Sequence, residues 1–376
     1  MWLVLPVCLG AVLGGCGRRK TPSGRGLEAK TTLDALHGVV RRRVERGALA
    51  RTDGFVYTVD VAQLALFAAR AGDRTMYGRL TEMGRRLVRQ DPSDPYTDGF
   101  VYWRLSEGSP PDASGTTEAL RLAQAFWEGA ERFQLDGDRR LAIAILDGYR
   151  RHQAEERGVW MIRNYFNLGT RSFATNSFLV DYAPDFVARV ARETDDDRLR
   201  LVARRSYRLI RDAQTPTGLL YDVIQPELGT LWDDDQLVHF SPNDVVQVSN
   251  SATVAAQIVV GDPDTARGVL RFCLDRMPNL AHSYRGTSGD VVWSKRPGIE
   301  AWASLTQTAM ALGDGDAVDQ FYLFLESNAA RIERIPDDAW LFVASELLLG
   351  LQAIVGTETP TPGGGSVDDS RAGRSP

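Results

Sequence analysis

The sequence contains few histidines, cysteines and lysines. Its 376 residues include four histidines and three cysteines, and only Lys20, Lys30 and Lys295 are lysines among 44 basic residues. Arginine supplies the remaining basic residues, which indicates a codon bias towards GC rather than a function. The histidines and cysteines are too scattered for the ligand spacing of a zinc site. We therefore expect neither a metal nor a cofactor.

The chain also lacks an excess of positive charge. It carries 44 basic and 49 acidic residues, a formal net charge of −5. Such a balance provides no overall positive electrostatic field that would attract a nucleic acid, and we expect no nucleic-acid partner. A composition of 43% hydrophobic and 25% charged residues is typical of a globular protein and excludes a wholly disordered or polytopic membrane chain.

The amino terminus combines an apolar run with a cysteine. Residues 1–15 are apolar but too short to span a bilayer comfortably, which predicts a signal peptide. The run ends in Leu13-Gly14-Gly15-Cys16, which resembles a bacterial lipoprotein cleavage box. That resemblance implies that residues 1–16 form the signal segment and that Cys16 carries a lipid. An uncleaved anchor or an ordinary secretory signal would give the same apolar run.

The remaining chain divides by composition into a tether, a body and a tail. Residues 17–29 are predicted to form a tether, and residues 356–376, rich in Gly, Pro, Ser and Thr, a disordered tail. Cys273 is the single cysteine of the body, residues 30–355. One cysteine cannot form an internal disulfide, so this domain depends on its hydrophobic core.

Apolar residues in the body recur at helical spacing. Leu33, Leu36, Val40 and Val44 show the pattern that buries one face of a helix. Short Gly- and Asp-containing turns recur roughly every 55 to 65 residues, a period typical of repeated helical hairpins. The predicted hairpins are 58–71 with 73–90, 116–134 with 138–153, 176–193 with 197–214, 249–260 with 262–276, and 299–312 with 315–328.

Two predicted helices, 31–47 and 337–354, remain at the ends of this array. If they pair with each other, six hairpins close into a ring. The predicted fold is therefore all-α, an (α/α)6 toroid. An open solenoid would show the same repeats.

The connections between hairpins are long, and they are rich in aromatic and acidic residues. Such loops are usually functional in a compact domain. An aromatic ring can stack on the apolar face of a sugar while carboxylates bind its hydroxyls. We expect a polysaccharide or oligosaccharide partner, with substrate-binding residues Tyr57, Trp103, Tyr221, Asn250 and Trp293.

Several local strings resemble glycoside hydrolase family 8. These are Thr52-Asp53-Gly54-Phe55-Val56-Tyr57, the segment 112–120 (Asp-Ala-Ser-Gly-Thr-Thr-Glu-Ala-Leu) and Val248-Ser249-Asn250-Ser251-Ala252. The resemblance implies that Asp53 is the general acid and that Asp112 or Glu118 is the second carboxylate. Asn250 stands where the family has an aspartate, and an amide cannot act as a base.

Glycoside hydrolysis requires a carboxyl pair across the scissile bond. In an inverting enzyme one group donates a proton and the other activates water, at a separation of roughly 6.5 to 9.5 Å. A cleft lined by aromatic residues is expected to raise the pKa of the acid, Asp53. Helix capping is the alternative role for Asp53, Asp112 and Glu118, because all three precede or begin predicted helices.

These observations predict a glycoside hydrolase-like lipoprotein of the cell envelope, facing the periplasm or the exterior, that cleaves a polysaccharide by an inverting mechanism. The alternative is a non-catalytic glycan-binding protein, or a component of exopolysaccharide or envelope machinery, on the same fold. A helical scaffold for protein partners is a third hypothesis, which a closed ring with a deep acidic cleft would exclude.

Overall fold

The computed structural model describes residues 24–91, 93–226, 230–233, 236–238 and 244–356. The predicted signal peptide with Cys16 and the tail from residue 357 lie outside these residues. The described ranges form twelve α-helices. They are α1 (Gly24–Glu45), α2 (Thr58–Ala71), α3 (Arg74–Arg86), α4 (Thr116–Phe133), α5 (Asp136–Arg150), α6 (Pro184–Thr194), α7 (Asp197–Asp212), α8 (Val248–Ile258), α9 (Pro263–Leu274), α10 (Ile299–Leu312), α11 (Gly315–Ala329) and α12 (Asp337–Val355).

The helices pair and close into a ring. Five pairs are consecutive hairpins, from α2 with α3 to α10 with α11, and the sixth joins α12 to α1. The even-numbered helices form the inner layer. α12 packs against both α10 and α2, while residues 179–181 and α6 complete the circle between α4 and α8. The predicted (α/α)6 toroid is therefore confirmed, and contact between the first and last inner helices excludes an open solenoid.

The turns within hairpins have the predicted chemistry. The Asp73 carboxylate caps α3 by accepting a hydrogen bond from the Met76 N–H at 3.0 Å, and Asp314 caps α11 through the Ala317 N–H at 3.0 Å. The preceding helices end at Gly72 and Gly313, which adopt φ values of 73° and 74°. Glycine adopts this left-handed conformation without steric cost.

The inner helices form the core of the domain. α2 is buried on every side from Val61 to Ala69, whereas α7 of the outer layer buries one stripe and exposes the opposite face. Within the described chain, α12 alone is long and apolar enough to span a bilayer, and 61% of its most apolar window is buried. Its contacts with α1, α2 and α10 identify it as a core helix.

Short antiparallel strands occupy the long connections. They are β1 (Val56–Tyr57), β2 (Arg104–Leu105), β3 (Ala113–Gly115), β4 (Gln153–Glu156), β5 (Val159–Ile162), β6 (Tyr165–Asn167), β7 (Ser172–Phe173), β8 (Ser177–Phe178), β9 (Val223–Ile224), β10 (Thr230–Asp233), β11 (Gln236–Val238), β12 (Val245–Gln247), β13 (Ser283–Arg285) and β14 (Val291–Trp293). Three of these strands, β1, β3 and β12, directly precede the inner helices α2, α4 and α8. We call this end of the ring, where the inner helices begin, the mouth.

Two helix starts differ from the sequence prediction by more than two residues. α6 begins at Pro184 rather than at residue 176, because β8 and a 3-10 turn (Leu179–Asp181) precede it. Ala183 then adopts a positive φ of 37°, and Pro184 takes the first helical position. α1 begins at Gly24, inside the segment predicted as a tether, and Ala29 is fully buried in the core.

Candidate functional site

Asp53, Tyr57, Trp103 and Asp112 meet at the mouth around one arginine that sequence reasoning missed. The antiparallel pairing of β1 with β2 places Tyr57 opposite Arg104. The Arg104 guanidinium lies over the Phe55 ring at 4.0 Å and over the Trp103 ring at 4.1 Å. We call Asp53, Tyr57, Trp103, Arg104 and Asp112 the Arg104 cluster.

Asp53 is an exposed carboxylate held in a fixed orientation. It accepts hydrogen bonds from the Tyr57 hydroxyl at 2.7 Å and from the Phe55 N–H at 3.0 Å, and Arg104 Nη1 lies 4.0 Å away. The Tyr57 hydrogen bond, followed by the Phe55 N–H, lowers the pKa of Asp53 below its ordinary value. The expectation that the mouth raises this pKa is wrong, because Asp53 is exposed and its contacts stabilise the charged form.

Asp112 lies on the other side of Arg104. Its Oδ1 accepts hydrogen bonds from Trp103 Nε1 at 2.6 Å and from the Ala113 N–H at 2.9 Å, while Arg104 Nη2 lies 3.4 Å from Oδ2. Asp112 therefore fixes the Trp103 ring through its indole N–H. It precedes β3 rather than beginning a helix, so it does not cap α4.

Glu118 has a different environment from Asp53. It occupies the third position of α4, and its carboxyl group folds back over Gly115, where an added Cβ would lie 2.0 Å from Glu118 Oε2. Burial raises the pKa of Glu118, opposed by a hydrogen bond from its own backbone N–H. The group therefore lies at the amino terminus of α4 and retains its proton to higher pH than Asp53. The Gly115 N–H donates to the Val101 carbonyl rather than to Glu118, so the predicted capping box does not form.

Asp181 is a buried acidic residue that sequence reasoning missed. It is fully buried, and it accepts hydrogen bonds from the Thr117 hydroxyl and, at 3.0 Å, from the Phe178 N–H. Burial raises its pKa to about 7, and the nearby charge of Glu118 adds to the shift. The helical pattern predicted over 176–193 hid this residue, because it concealed the turn that carries Asp181.

Asn250 makes a hydrogen bond within the fold, on the side of the ring opposite Asp53. Its side chain hydrogen-bonds Asp222, whose two carboxylate oxygens also accept from the Gln247 N–H at 3.0 and 3.3 Å. Burial raises the pKa of Asp222 to about 7. Asn250 thus joins the start of α8 to the connection from α7.

Asp244 is a second carboxylate that the sequence prediction omitted. It precedes β12 with a positive φ of 49°. Its carboxylate accepts from the Thr287 hydroxyl at 2.6 Å, the Thr287 N–H at 3.1 Å and the Tyr221 hydroxyl at 3.3 Å. Like Asp53, it is held by one tyrosine and one backbone amide at the start of an inner helix. The Tyr221 ring is buried, and its hydroxyl donates to this carboxylate.

Trp293 presents the largest exposed aromatic surface among the predicted binding residues. It is 52% exposed on β14, and its ring lies 4.4 Å from that of His282. Trp103 is partly exposed and Tyr57 packs edge-on against it at 5.6 Å. The predicted aromatic residues therefore occupy two sides of the mouth, with Tyr57 and Trp103 near α2 and Trp293 before α10.

The described residues contain no group of three or more His, Cys, Asp or Glu side chains that could hold a metal ion. The arrangement instead supplies carboxyl groups of opposite pKa shift beside exposed aromatic faces. Such a site can exchange protons with a bound hydroxylated ligand and stack against its apolar faces.

Comparisons with known proteins show the fold. No protein-family model matches the sequence, and no curated protein matches it either. Among solved structures, a β-1,3-1,4-glucanase from Paenibacillus sp. X4 matches with a TM-score of 0.66 at 12% identity, covering 90% of this chain and 95% of that chain. A cold-adapted family 8 xylanase matches with a TM-score of 0.65 at 13% identity, covering 89% and 92%. An α-amylase from Clostridium perfringens matches with a TM-score of 0.66 at 14% identity, covering 80% and 86%. The chain therefore has the six-hairpin fold of these glycosidases.

Proposed function

We propose that this protein hydrolyses a glycosidic bond of a polysaccharide at the mouth of the ring. One observation carries the proposal: Asp53 and Glu118 lie at the mouth, before α2 and in the first turn of the neighbouring helix α4, and their pKa values are shifted in opposite directions. General acid and base catalysis requires such a pair, in which one carboxyl group holds a proton while the other is ionised. The solved structures that share the fold, named as a glucanase, a xylanase and an amylase, support a polysaccharide substrate.

Glu118 is assigned as the proton donor. Burial raises the pKa of Glu118, so this group holds its proton to higher pH than Asp53, whose lowered pKa makes it a poor acid. This assignment reverses the role that the family resemblance implied for Asp53. Asp53 is instead a candidate for the base that activates water, because its carboxylate is exposed to solvent and oriented by Tyr57.

Asp244 is the second candidate for the base. It accepts the same kinds of hydrogen bond as Asp53, and it precedes α8, which lies opposite α2 in the order of the inner ring. Substrate spanning the mouth would meet both carboxylates. Trp103 and Trp293 supply stacking surfaces on the two sides of that path.

The test is release of reducing ends from a panel of β-glucans, xylan, starch, chitosan and bacterial exopolysaccharides. Glu118→Gln is expected to lower kcat about 10²- to 10⁴-fold on the polysaccharide. The same variant should retain activity on an aryl glycoside with a dinitrophenolate leaving group, which needs no proton. Glu107→Gln, which changes an exposed residue between β2 and β3, is the control and should match the wild type. Equal losses on both substrates would contradict the assignment of Glu118 as acid.

The base is assigned by chemical rescue. Asp53→Ala and Asp244→Ala should both lose activity if both carboxylates contact substrate. Added formate or azide should restore turnover only in the variant that lacks the base, because a small anion can occupy the space of the missing carboxylate. If the anions rescue neither variant, then neither Asp53 nor Asp244 is the base.

A non-catalytic glycan-binding protein is the second candidate function, and one observation favours it. The Arg104 guanidinium lies between Asp53 and Asp112, within 4.0 and 3.4 Å of their oxygens, and so partly neutralises the carboxylates that the family resemblance selected. Retained binding of one polysaccharide without any release of reducing ends would support this alternative.

We further propose that the protein is anchored at the cell envelope through a lipid on Cys16, facing the periplasm or exterior. The apolar segment before Cys16 and the polysaccharide-directed mouth support this location. Metabolic labelling with an alkyne fatty acid should modify the wild type and leave Cys16→Ser unlabelled. Labelling of both proteins, or of neither, would contradict lipidation at Cys16.

A further inference from the structure

The centre of the ring contains a partly open polar chamber below the mouth. Its volume is 110 Å³, and side chains from all six inner helices line it. The lining presents two arginines, two carboxylic acids and several glutamines. They include Arg70 on α2, Arg121 on α4, Asp185 on α6, Gln257 on α8, Gln307 on α10 and Glu346 on α12.

Three of the four charged groups have protein partners. Arg70 forms a two-pronged ion pair with Glu128, at 2.7 and 2.9 Å. Asp185 accepts hydrogen bonds from the Tyr207 hydroxyl and from the backbone amides of residues 260 and 261. Glu346 accepts from Gln63 Nε2 at 2.5 Å. The charges of these three groups are therefore compensated or solvated by the protein.

Arg121 is the exception. Across the described residues, no side chain or carbonyl forms a hydrogen bond or an ion pair with its guanidinium. Glu346 attracts it electrostatically from beyond ion-pair distance, while the nearby positive charge of Arg70 repels it. Burial lowers the pKa of Arg121, but a guanidinium stays protonated in proteins. Arg121 is half-buried, and its guanidinium donors line a polar chamber without a protein acceptor, so they are available to bind an anion.

The chamber offers further polar groups beside Arg121. Gln307 lines it, and its side chain forms no hydrogen bond with the described residues, so the side-chain amide is free to donate. Gln257 is 8% exposed, and its Oε1 lacks a donor among the described residues. A volume of 110 Å³ accommodates a small anion together with a bridging water, since a water occupies about 30 Å³.

We propose that the chamber binds a small monovalent anion through the guanidinium of Arg121 and the amide of Gln307. Arg121 follows Glu118 by one helical turn on α4, so the two residues share a face of that helix. The bound anion would fix the centre of the inner ring immediately below the residues of the mouth.

The test measures the thermal unfolding midpoint of the full chain as sodium chloride replaces sodium gluconate at constant ionic strength. The wild-type midpoint should rise by about 2 °C for each tenfold increase in chloride above saturation, as expected for a ligand that binds the folded state. Arg121→Gln should lose this dependence. Arg208→Gln removes a highly exposed arginine of α7 and should retain it. Equal chloride dependence in wild type and Arg121→Gln, or none in the wild type, would overturn the proposal.

A second measurement needs no variant and remains informative if Arg121→Gln does not fold. Crystals of the wild type grown in sodium bromide should show an anomalous bromide peak beside the Arg121 guanidinium. A chamber without anomalous density at saturating bromide would overturn the proposal.

Discussion

The charge state of Asp53 is set by two neighbours within four residues of it. The Phe55 N–H and the Tyr57 hydroxyl both donate to its carboxylate, which favours the ionised form. The string Thr52-Asp53-Gly54 identified this residue from sequence. The direction of its pKa shift could not be predicted, because it depends on exposure and on the orientation of the Tyr57 side chain.

Replacing Tyr57 tests the origin of this shift. Tyr57→Phe removes the hydrogen bond that contributes most to stabilising the Asp53 carboxylate, so the pKa of Asp53 should rise. Carboxyl-carbon NMR titration of the wild type and variant measures the change directly. Tyr165→Phe, an exposed tyrosine on β6, should leave the Asp53 titration unchanged. An unchanged pKa in Tyr57→Phe would show that the backbone amide alone fixes the charge.

Local sequence predicted the elements better than it predicted the contacts between them. Helical periodicity and the turns that contain Asp or Gly predicted all twelve helices, because capping and amphipathicity are local properties. The pairing of β1 with β2, which brings Arg104 to Asp53, joins segments about 50 residues apart in the chain. Two-residue strands carry too short a pattern for such pairing to be read from sequence.

The contact between Gly99 and α5 is too close for an added side-chain atom. The backbone of Gly99 crosses α5 at Gly148, where an added Cβ would lie 2.5 Å from the Gly99 carbonyl oxygen. Gly148→Ala should therefore destabilise the protein by about 1 to 3 kcal/mol in urea unfolding. Gly137→Ala in the same helix meets no atom within 4 Å and should be neutral or slightly stabilising. Similar stabilities for the two variants would contradict rigid packing of this loop on α5.

At the scale of the whole molecule, the ring gathers polar groups along its axis and carboxylic acids at its mouth. The six-hairpin count predicted closure, since apolar helices at both ends of the chain needed partners. The axial chamber could not be predicted, because it depends on which face each inner helix turns towards the centre. Glu346 on α12 and Arg121 on α4 approach each other only after the ring has closed.

Buried acids should make stability depend on pH in a defined direction. Burial raises the pKa values of Asp181, Asp222 and Glu346 to about 7, above unfolded values of about 4. As pH rises from about 4 to 7, the unfolded chain releases protons that the folded state keeps, so these groups lower the free energy of unfolding. His152, whose pKa burial lowers to about 4, opposes this trend over the same range.

Glu346→Gln isolates one of these contributions. Relative to wild type, the variant should gain stability as pH rises from about 4.5 to 7, by at most about 1.4 kcal/mol per pH unit. Urea unfolding at several pH values and one fixed chloride concentration measures this difference. A difference that stays constant with pH would contradict a raised pKa for Glu346.

Proton NMR of the first products tests the proposed hydrolysis of glycosidic bonds at the mouth by an inverting mechanism. The wild-type chain is incubated with the polysaccharide it degrades fastest, and the anomeric signals are followed before mutarotation. We predict that the first new reducing ends carry the anomeric configuration opposite to that of the cleaved bond. New ends of retained configuration would contradict the inverting mechanism, and binding without any new reducing end would contradict hydrolysis itself.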